Sequence, residues 1–145
     1  MTKPAVLFLC TNNAVRSQMA EAIFRRKAAD AFDIYSAGSE PREIHPLTIR
    51  VMNEVGIDVS GQRSKDLRQF LGRLPVHFAI FVCQQAEDSC PINWPGALQR
   101  LKWPFEDPAA CDGTEQQRIA KFRSVRDQIR AKIDAWMTDL ALPGR

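Results

Sequence analysis

Residues 5–24 read AVLFLCTNNAVRSQMAEAIF. Val6, Leu7, Phe8 and Leu9 run without polar alternation, as a strand covered on both faces of a parallel sheet requires. Met19, Ala20, Ile23 and Phe24 recur at helical spacing. Cys10 therefore stands where strand becomes helix. Between the two elements Thr11, Asn12, Asn13, Ala14 and Val15 can curl so that successive backbone N–H groups point inward, with the positive end of the helix behind them. Such a cradle holds tetrahedral anions, and the same donors favour a thiolate placed within it. Arg16 can grip two oxygens of an oxyanion with its planar fork, a geometry lysine lacks. Ser17 follows directly and can offer its hydroxyl to the Cys10 sulfur.

Further along the chain, residues 32–35 give a second short strand, ended by Ser36, Ala37 and Gly38. Pro46 opens a helix carrying Leu47, Ile49, Val51, Met52 and Val55, and Gly56 suits its left-handed stop. Ser64 is an N-cap for a brief helix through Leu71. Residues 77–82, HFAIFV, form a buried strand with Cys83 at its end, and residues 98–103 an edge-like fourth strand before Pro104. Thr114 with Gln117 makes a capping box. Ile119, Phe122, Val125, Ile129, Ile133, Trp136 and Leu140 then step by three or four along an amphipathic helix. Strands alternating with helices, without repeats or a linker, predict one α/β domain over residues 1–145, a four-stranded parallel sheet with helices on both faces. Ligands of such sheets sit beyond the carboxyl ends of the strands, where Cys10 and Cys83 both fall.

A chain of 145 residues with 45% apolar content can bury a core without disulfide staples. Its net charge of +3 is mild and its 20 basic residues are scattered, so no nucleic-acid partner is expected. Met1, Thr2, Lys3 and Pro4 lead straight into the first strand, with no long apolar segment in the chain, so a cytoplasmic protein without a membrane partner is expected. Four cysteines in a reducing compartment would stay reduced, which makes any pair poised to bridge a catalytic candidate. One sheet can cover the apolar stripes of the predicted helices, which points to a monomer.

The segment C-T-N-N-A-V-R-S resembles the active-site loop of the low-molecular-weight tyrosine phosphatases and of their relatives, the thioredoxin-coupled arsenate reductases. The resemblance implies the same flavodoxin-like sheet. It also implies that Cys10 is the nucleophile and that Thr11, Asn12, Asn13, Ala14, Val15 and Arg16 bind the oxyanion. W-P-F-E-D-P, residues 103–108, is similar to the late loop of this superfamily, in which an aspartate before proline is the general acid. That role falls to Asp107, with Glu106 a weaker substitute; Asp-Pro is also an ordinary turn starter. Burial against bound substrate would be required for Asp107 to keep its proton.

The C-x6-C-P spacing of Cys83, Cys90 and Pro91 is similar to that of the arsenate reductases. Two further thiols are superfluous in a phosphatase, whereas a reductase needs them because two electrons leave protein sulfur for each arsenate reduced. The resemblance implies a relay: Cys10 attacks arsenate, Cys83 attacks Cys10, and Cys90 attacks Cys83. It implies no cofactor, thioredoxin or a similar dithiol as reductant, and phosphate as a weak competitor. Seven residues of helix rise about 10.5 Å, whereas bridged cysteines have Cα atoms roughly 4.4–6.8 Å apart. If residues 84–90 are helical when reduced, they must unwind on oxidation.

The chain departs from the family at Asn12, where relatives usually carry glycine, and at Val15, where many carry a second loop cysteine. Asparagine tolerates left-handed backbone angles, so the cradle is expected to survive. Asn13 matches the position whose side chain shapes the loop. Some of these reductases bind potassium through residues matching Asn13, Glu21 and Ser36 with two further ligands, which correspond here to Arg63 and Lys65. Two cations do not make a cation site, so no metal is expected, with the Lys65 ammonium near Glu21 in its place. Cys111 is expected to pack near the last helix, and His45 and His77 to be solvated or core residues rather than metal ligands. Two alternatives remain: a protein tyrosine phosphatase using Cys10, Arg16 and Asp107, and a non-catalytic oxyanion-binding or redox-sensing module.

Overall fold

The structure, a computed structural model, describes residues 3–84, 91 and 93–140. Strands β1 (Ala5–Cys10), β2 (Asp33–Gly38), β3 (Phe78–Phe81) and β4 (Gln99–Lys102) form one four-stranded parallel sheet in the order β2-β1-β3-β4. This order puts the two apolar runs at the centre, and β1 and β3 are buried at every position. An interior parallel strand meets protein on both faces, which is why neither alternates with polar residues. β4 is the edge, exposed at Gln99, Arg100 and Lys102. Charge on an edge strand discourages pairing with other chains.

Helices α1 (Arg16–Ala28), α2 (Pro46–Asn53) and α3 (Glu115–Asp139) share one core with one face of the sheet. Val6, Phe8 and Ile80 meet Phe24 of α1, Met52 of α2 and Phe122, Ile129 and Ile133 of α3 there. Trp136 locks this layer, with ring centroids 5.2 Å from Phe24, 5.0 Å from Phe78 and 5.4 Å from Trp103. Thr114 and Gln117 form the expected capping box at the start of α3. On the opposite face Leu7, Leu9 and Phe81 are covered by Trp94 and Ala97, with Leu67, Phe70 and Leu74 packed alongside. Helical cover is unequal, because the brief helix expected from Ser64 is here a single 3₁₀ turn, Leu67–Gln69. Asp66 caps it, accepting from the Arg68 N–H at 2.9 Å. Ser64 cannot, since its hydroxyl donates to the Asn12 carbonyl at 3.1 Å. Among the described residues no helix is long and apolar enough to cross a membrane.

β2 runs on through Ser36, Ala37 and Gly38, residues whose small size suggests a stop. They pair with Phe8, Leu9 and Cys10 of β1, so β2 reaches the edge where the nucleophile candidate stands.

At the other end of α2, Glu54 accepts hydrogen bonds from Arg123 and Arg126 of α3. These bonds, that from Arg123 foremost, lower its carboxyl from 4.5 to about 2. A carboxyl depressed in the folded state stabilises it fully above pH 4.5 and loses that contribution as the pH falls through about 2. Glu54→Gln should therefore lower Tm at pH 7 by a few degrees, about 3 °C, less in molar salt, with the difference from wild type gone near pH 2. Thermal melts across pH test this.

Candidate active site

β1 carries Cys10 to the carboxyl edge of the sheet, and α1 starts at Arg16, leaving five residues to make the turn. The turn depends on Asn13, which is fully buried and adopts a left-handed backbone with φ 50°. That conformation aims its N–H at the Cys10 sulfur, 3.2 Å away. Asn13, not Asn12, is thus the position where the tolerance of asparagine for this region is used. Its side-chain amide donates to Ser17 Oγ at 2.7 Å and Ser36 Oγ at 2.9 Å. Its Oδ1 accepts from the Lys65 N–H at 2.8 Å and from Gln18 Nε2 at 2.9 Å. Ser17 Oγ lies 2.8 Å from the Cys10 sulfur, so thiol, serine and asparagine form one buried chain.

That chain ends on a carboxylate. Ser36 donates to Glu21 Oε1, and Glu21, 4% exposed, is flanked by Arg25 Nη1 at 2.6 Å and Lys65 Nζ at 3.4 Å. Lys65 Nζ also donates to the Arg63 carbonyl at 2.8 Å. The Lys65 ammonium therefore stands beside Glu21, and Arg63 contributes its backbone carbonyl there.

The loop is clasped from the side of β2. The N–H groups of Ser39, Glu40 and Arg42 donate to the carbonyls of Cys10, Thr11 and Asn12. Asn12 Nδ2 returns a bond to the Glu40 carbonyl at 2.8 Å. Gly38 lies so close that a Cβ there would stand 2.5 Å from the Thr11 carbonyl oxygen and 2.9 Å from the Asn13 nitrogen.

On the open side, α1 begins without a side-chain cap, because Val15 precedes it, and without an acid in its first turn. A helix start without a side-chain cap or an acid favours a nearby anion. Arg16, 4% exposed, donates from Nη1 to the Phe105 carbonyl at 3.0 Å and holds Nη2 3.9 Å from Asp107 Oδ2. Asp107 starts the turn that an Asp-Pro pair favours. Its Oδ1 caps the 3₁₀ helix Pro108–Ala110 through the Ala109 N–H at 3.0 Å, while Oδ2 faces Arg16.

Cys10, Asn12, Ala14, Val15, Arg16 and Asp107 line one cavity of about 130 Å³. Thr11, Asn13 and Ser17 do not line it and are buried behind its wall. Cys83 is 2% exposed and belongs to the same core as Cys10. It is disulfide-bonded, whereas Cys10 and Cys111 are free. Cys90, the expected bridging partner, and residues 85–90 lie outside the described residues. Cys111 shares a second cavity, of about 450 Å³, with Gln84, Asp107 and Lys121 of α3.

Sequence patterns missed four contributors. Gly38 acts through a long-range approach, Phe105 through a backbone carbonyl, and Gln18 through its grip on Asn13. The fourth is His45, set aside as solvated or core, which lines the 130 Å³ cavity. His77 does not, and its ring lies against Phe78 at 4.4 Å.

The family model for low molecular weight phosphotyrosine protein phosphatase matches residues 5–143. An arsenate reductase of Shouchella clausii is 41% identical over 133 residues, covering 92% of this chain and 94% of its own. A solved arsenate reductase in a phosphate-binding state superposes with TM-score 0.78 at 31% identity, covering 94% of this chain and 98% of that one. The thioredoxin-dependent arsenate reductase of Corynebacterium glutamicum gives TM-score 0.62 at 30% identity, covering 92% of this chain and 63% of that one.

Proposed function

Since this chain belongs to the low-molecular-weight phosphotyrosine protein phosphatase family, we propose that it is an enzyme of that family whose reaction is the reduction of arsenate to arsenite. The observation that carries the proposal is the second cysteine. Cys83 stands just past the end of β3, buried in the same core as Cys10, where hydrolysis of a phosphoester has no use for it.

In this mechanism arsenate rests in the loop with its oxygens on the backbone N–H groups and the Arg16 fork. The Cys10 thiolate, held by the Asn13 N–H and Ser17, attacks arsenic. Asp107 gives its proton to the departing oxygen, which leaves as water, and an S–As bond replaces the As–O bond. The Phe105 carbonyl and Asp107 together set the plane of the guanidinium. The Cys83 thiolate then attacks the Cys10 sulfur. The S–As bond breaks, its electron pair stays on arsenic, and arsenite departs, leaving a disulfide between Cys10 and Cys83. Cys90 attacks Cys83 and releases the Cys10 thiolate. An external dithiol such as thioredoxin reduces the remaining disulfide, so the two electrons come from that dithiol. A disulfide-bonded Cys83 beside a free Cys10 supports this order of steps.

No metal or cofactor has a place in these steps. The Lys65 ammonium supplies the positive charge beside Glu21 that a cation ligand set would otherwise hold, and a lysine is not a metal ligand there. Phosphate is a weak competitor for the cradle, and slow phosphoester hydrolysis by Cys10 is an expected side reaction.

The test is arsenate-dependent NADPH oxidation in the presence of thioredoxin and thioredoxin reductase, run beside hydrolysis of a phosphotyrosine peptide. Arsenate turnover far exceeding peptide hydrolysis is expected. Efficient peptide hydrolysis without arsenate-dependent oxidation would make the chain a phosphatase with spectator cysteines.

A further inference from the structure

None of the steps above uses His45, yet it lines the oxyanion cavity with Cys10, Arg16 and Asp107. Three contacts hold it there. Its N–H donates to the Ala14 carbonyl at 3.1 Å, which ties it to the loop. Its Nδ1 accepts from the Leu47 N–H at 3.1 Å, so the ring is the N-cap of α2. Its ring packs at a 43° tilt against Phe122, with centroids 4.9 Å apart.

These contacts decide the chemistry of the ring. A neutral imidazole accepts at one nitrogen and carries its proton on the other, so an Nδ1 used as acceptor leaves the proton on Nε2. Burial, reinforced by Arg118 and opposed by Asp107, holds the ring below the ordinary histidine range, which keeps it neutral at pH 7. The free edge is then a donor without a full charge.

We propose that His45 is an oxyanion-binding residue, donating from Nε2 to an outer oxygen of the tetrahedral anion seated over Cys10. The identity of the physiological anion rests on the function proposed above; the binding of inorganic phosphate does not.

Two variants separate the cap from the donor. In His45→Asn the side-chain oxygen can keep the cap while the Nε2 donor is gone, and in His45→Gln an amide N–H reaches the Nε2 position. Phosphate binding by isothermal titration calorimetry and Tm are read for each. For His45→Asn the phosphate Kd is expected to rise about tenfold, as for loss of one hydrogen bond to a charged group, with Tm close to wild type. His45→Gln should recover most of that loss, and the arsenate KM should follow the phosphate Kd. Phosphate bound by His45→Asn as tightly as by wild type would overturn the proposal. So would weakening confined to His45→Gln and accompanied by a lowered Tm, which would make His45 a cap alone. A wild type that turns over no arsenate but binds phosphate in a His45-dependent way would sustain this inference and defeat the proposed function. Arsenate turnover in the wild type with His45-independent phosphate binding would do the reverse.

Discussion

Replacing Cys10 with serine is expected to abolish arsenate turnover while phosphate continues to bind. The hydroxyl fits where the thiol stood, and the Asn13 N–H that lies 3.2 Å from the sulfur can donate to it equally well. The anion keeps its ligands, since the substitution leaves Arg16 and the backbone at the start of α1 in place. Chemistry does not survive the change, because a serine hydroxyl can neither open the S–As route nor be attacked by Cys83 to pass electrons on. Where a catalytic nucleophile has been removed from an enzyme, kcat falls on the order of 10⁶, and a loss of that size puts turnover below detection here. Phosphate titration shows whether the cradle is intact, and the coupled arsenate assay shows whether the reaction is gone. Turnover within about a hundredfold of wild type would remove Cys10 from the nucleophile's role.

Gly38→Ala should be nearly as damaging, although Gly38 touches no substrate. Its Cβ would stand 2.5 Å from the Thr11 carbonyl oxygen and 2.9 Å from the Asn13 nitrogen, and both atoms are backbone. No side chain can swing aside, so either the loop or β2 must move. The Gly38 N–H is bonded to the Lys65 carbonyl and its Cα is paired with Cys10, which resists movement of the strand. The loop is therefore the part expected to give. Overpacking of this kind costs about 1–3 kcal/mol, and a displacement of about 1 Å at a reacting group can cost about a hundredfold in rate. The expected result is a lowered Tm, weaker phosphate binding and a kcat/KM for arsenate down by about two orders of magnitude. Wild-type kcat/KM in Gly38→Ala would show that the loop absorbs the methyl group without losing its shape.

The strand-loop-helix unit of residues 5–24 was legible because its signals are local. An unbroken apolar run, a cysteine, an arginine with serine behind it and a helical repeat all fall within one short segment. The central strand of residues 78–81 and the capping box of α3 were legible for the same reason. What escaped are contacts made across the sheet. Ser36, Ala37 and Gly38 look like a terminator, but partners on β1 and the loop keep them in β2. The left-handed residue is Asn13, because only its side chain finds Ser17, Ser36 and the Lys65 N–H at once. Ser64 yields the cap to Asp66 because the loop carbonyl of Asn12 takes its hydroxyl. Phe105 orients Arg16 with a carbonyl that every residue possesses, so no residue type announces it. His45 reads as an ordinary helix cap, and only the fold brings its ring into the cavity beside Asp107.

The measurement that reaches the relay most directly compares wild type with Cys90→Ala in the arsenate assay coupled to thioredoxin and NADPH. Cys10 and Cys83 remain in that variant, so arsenate can still be attacked and reduced once, but the disulfide between them has no internal thiol to release it. The relay predicts many turnovers for the wild type and at most one equivalent of arsenite per Cys90→Ala molecule. Sustained turnover by Cys90→Ala at the wild-type rate would contradict it.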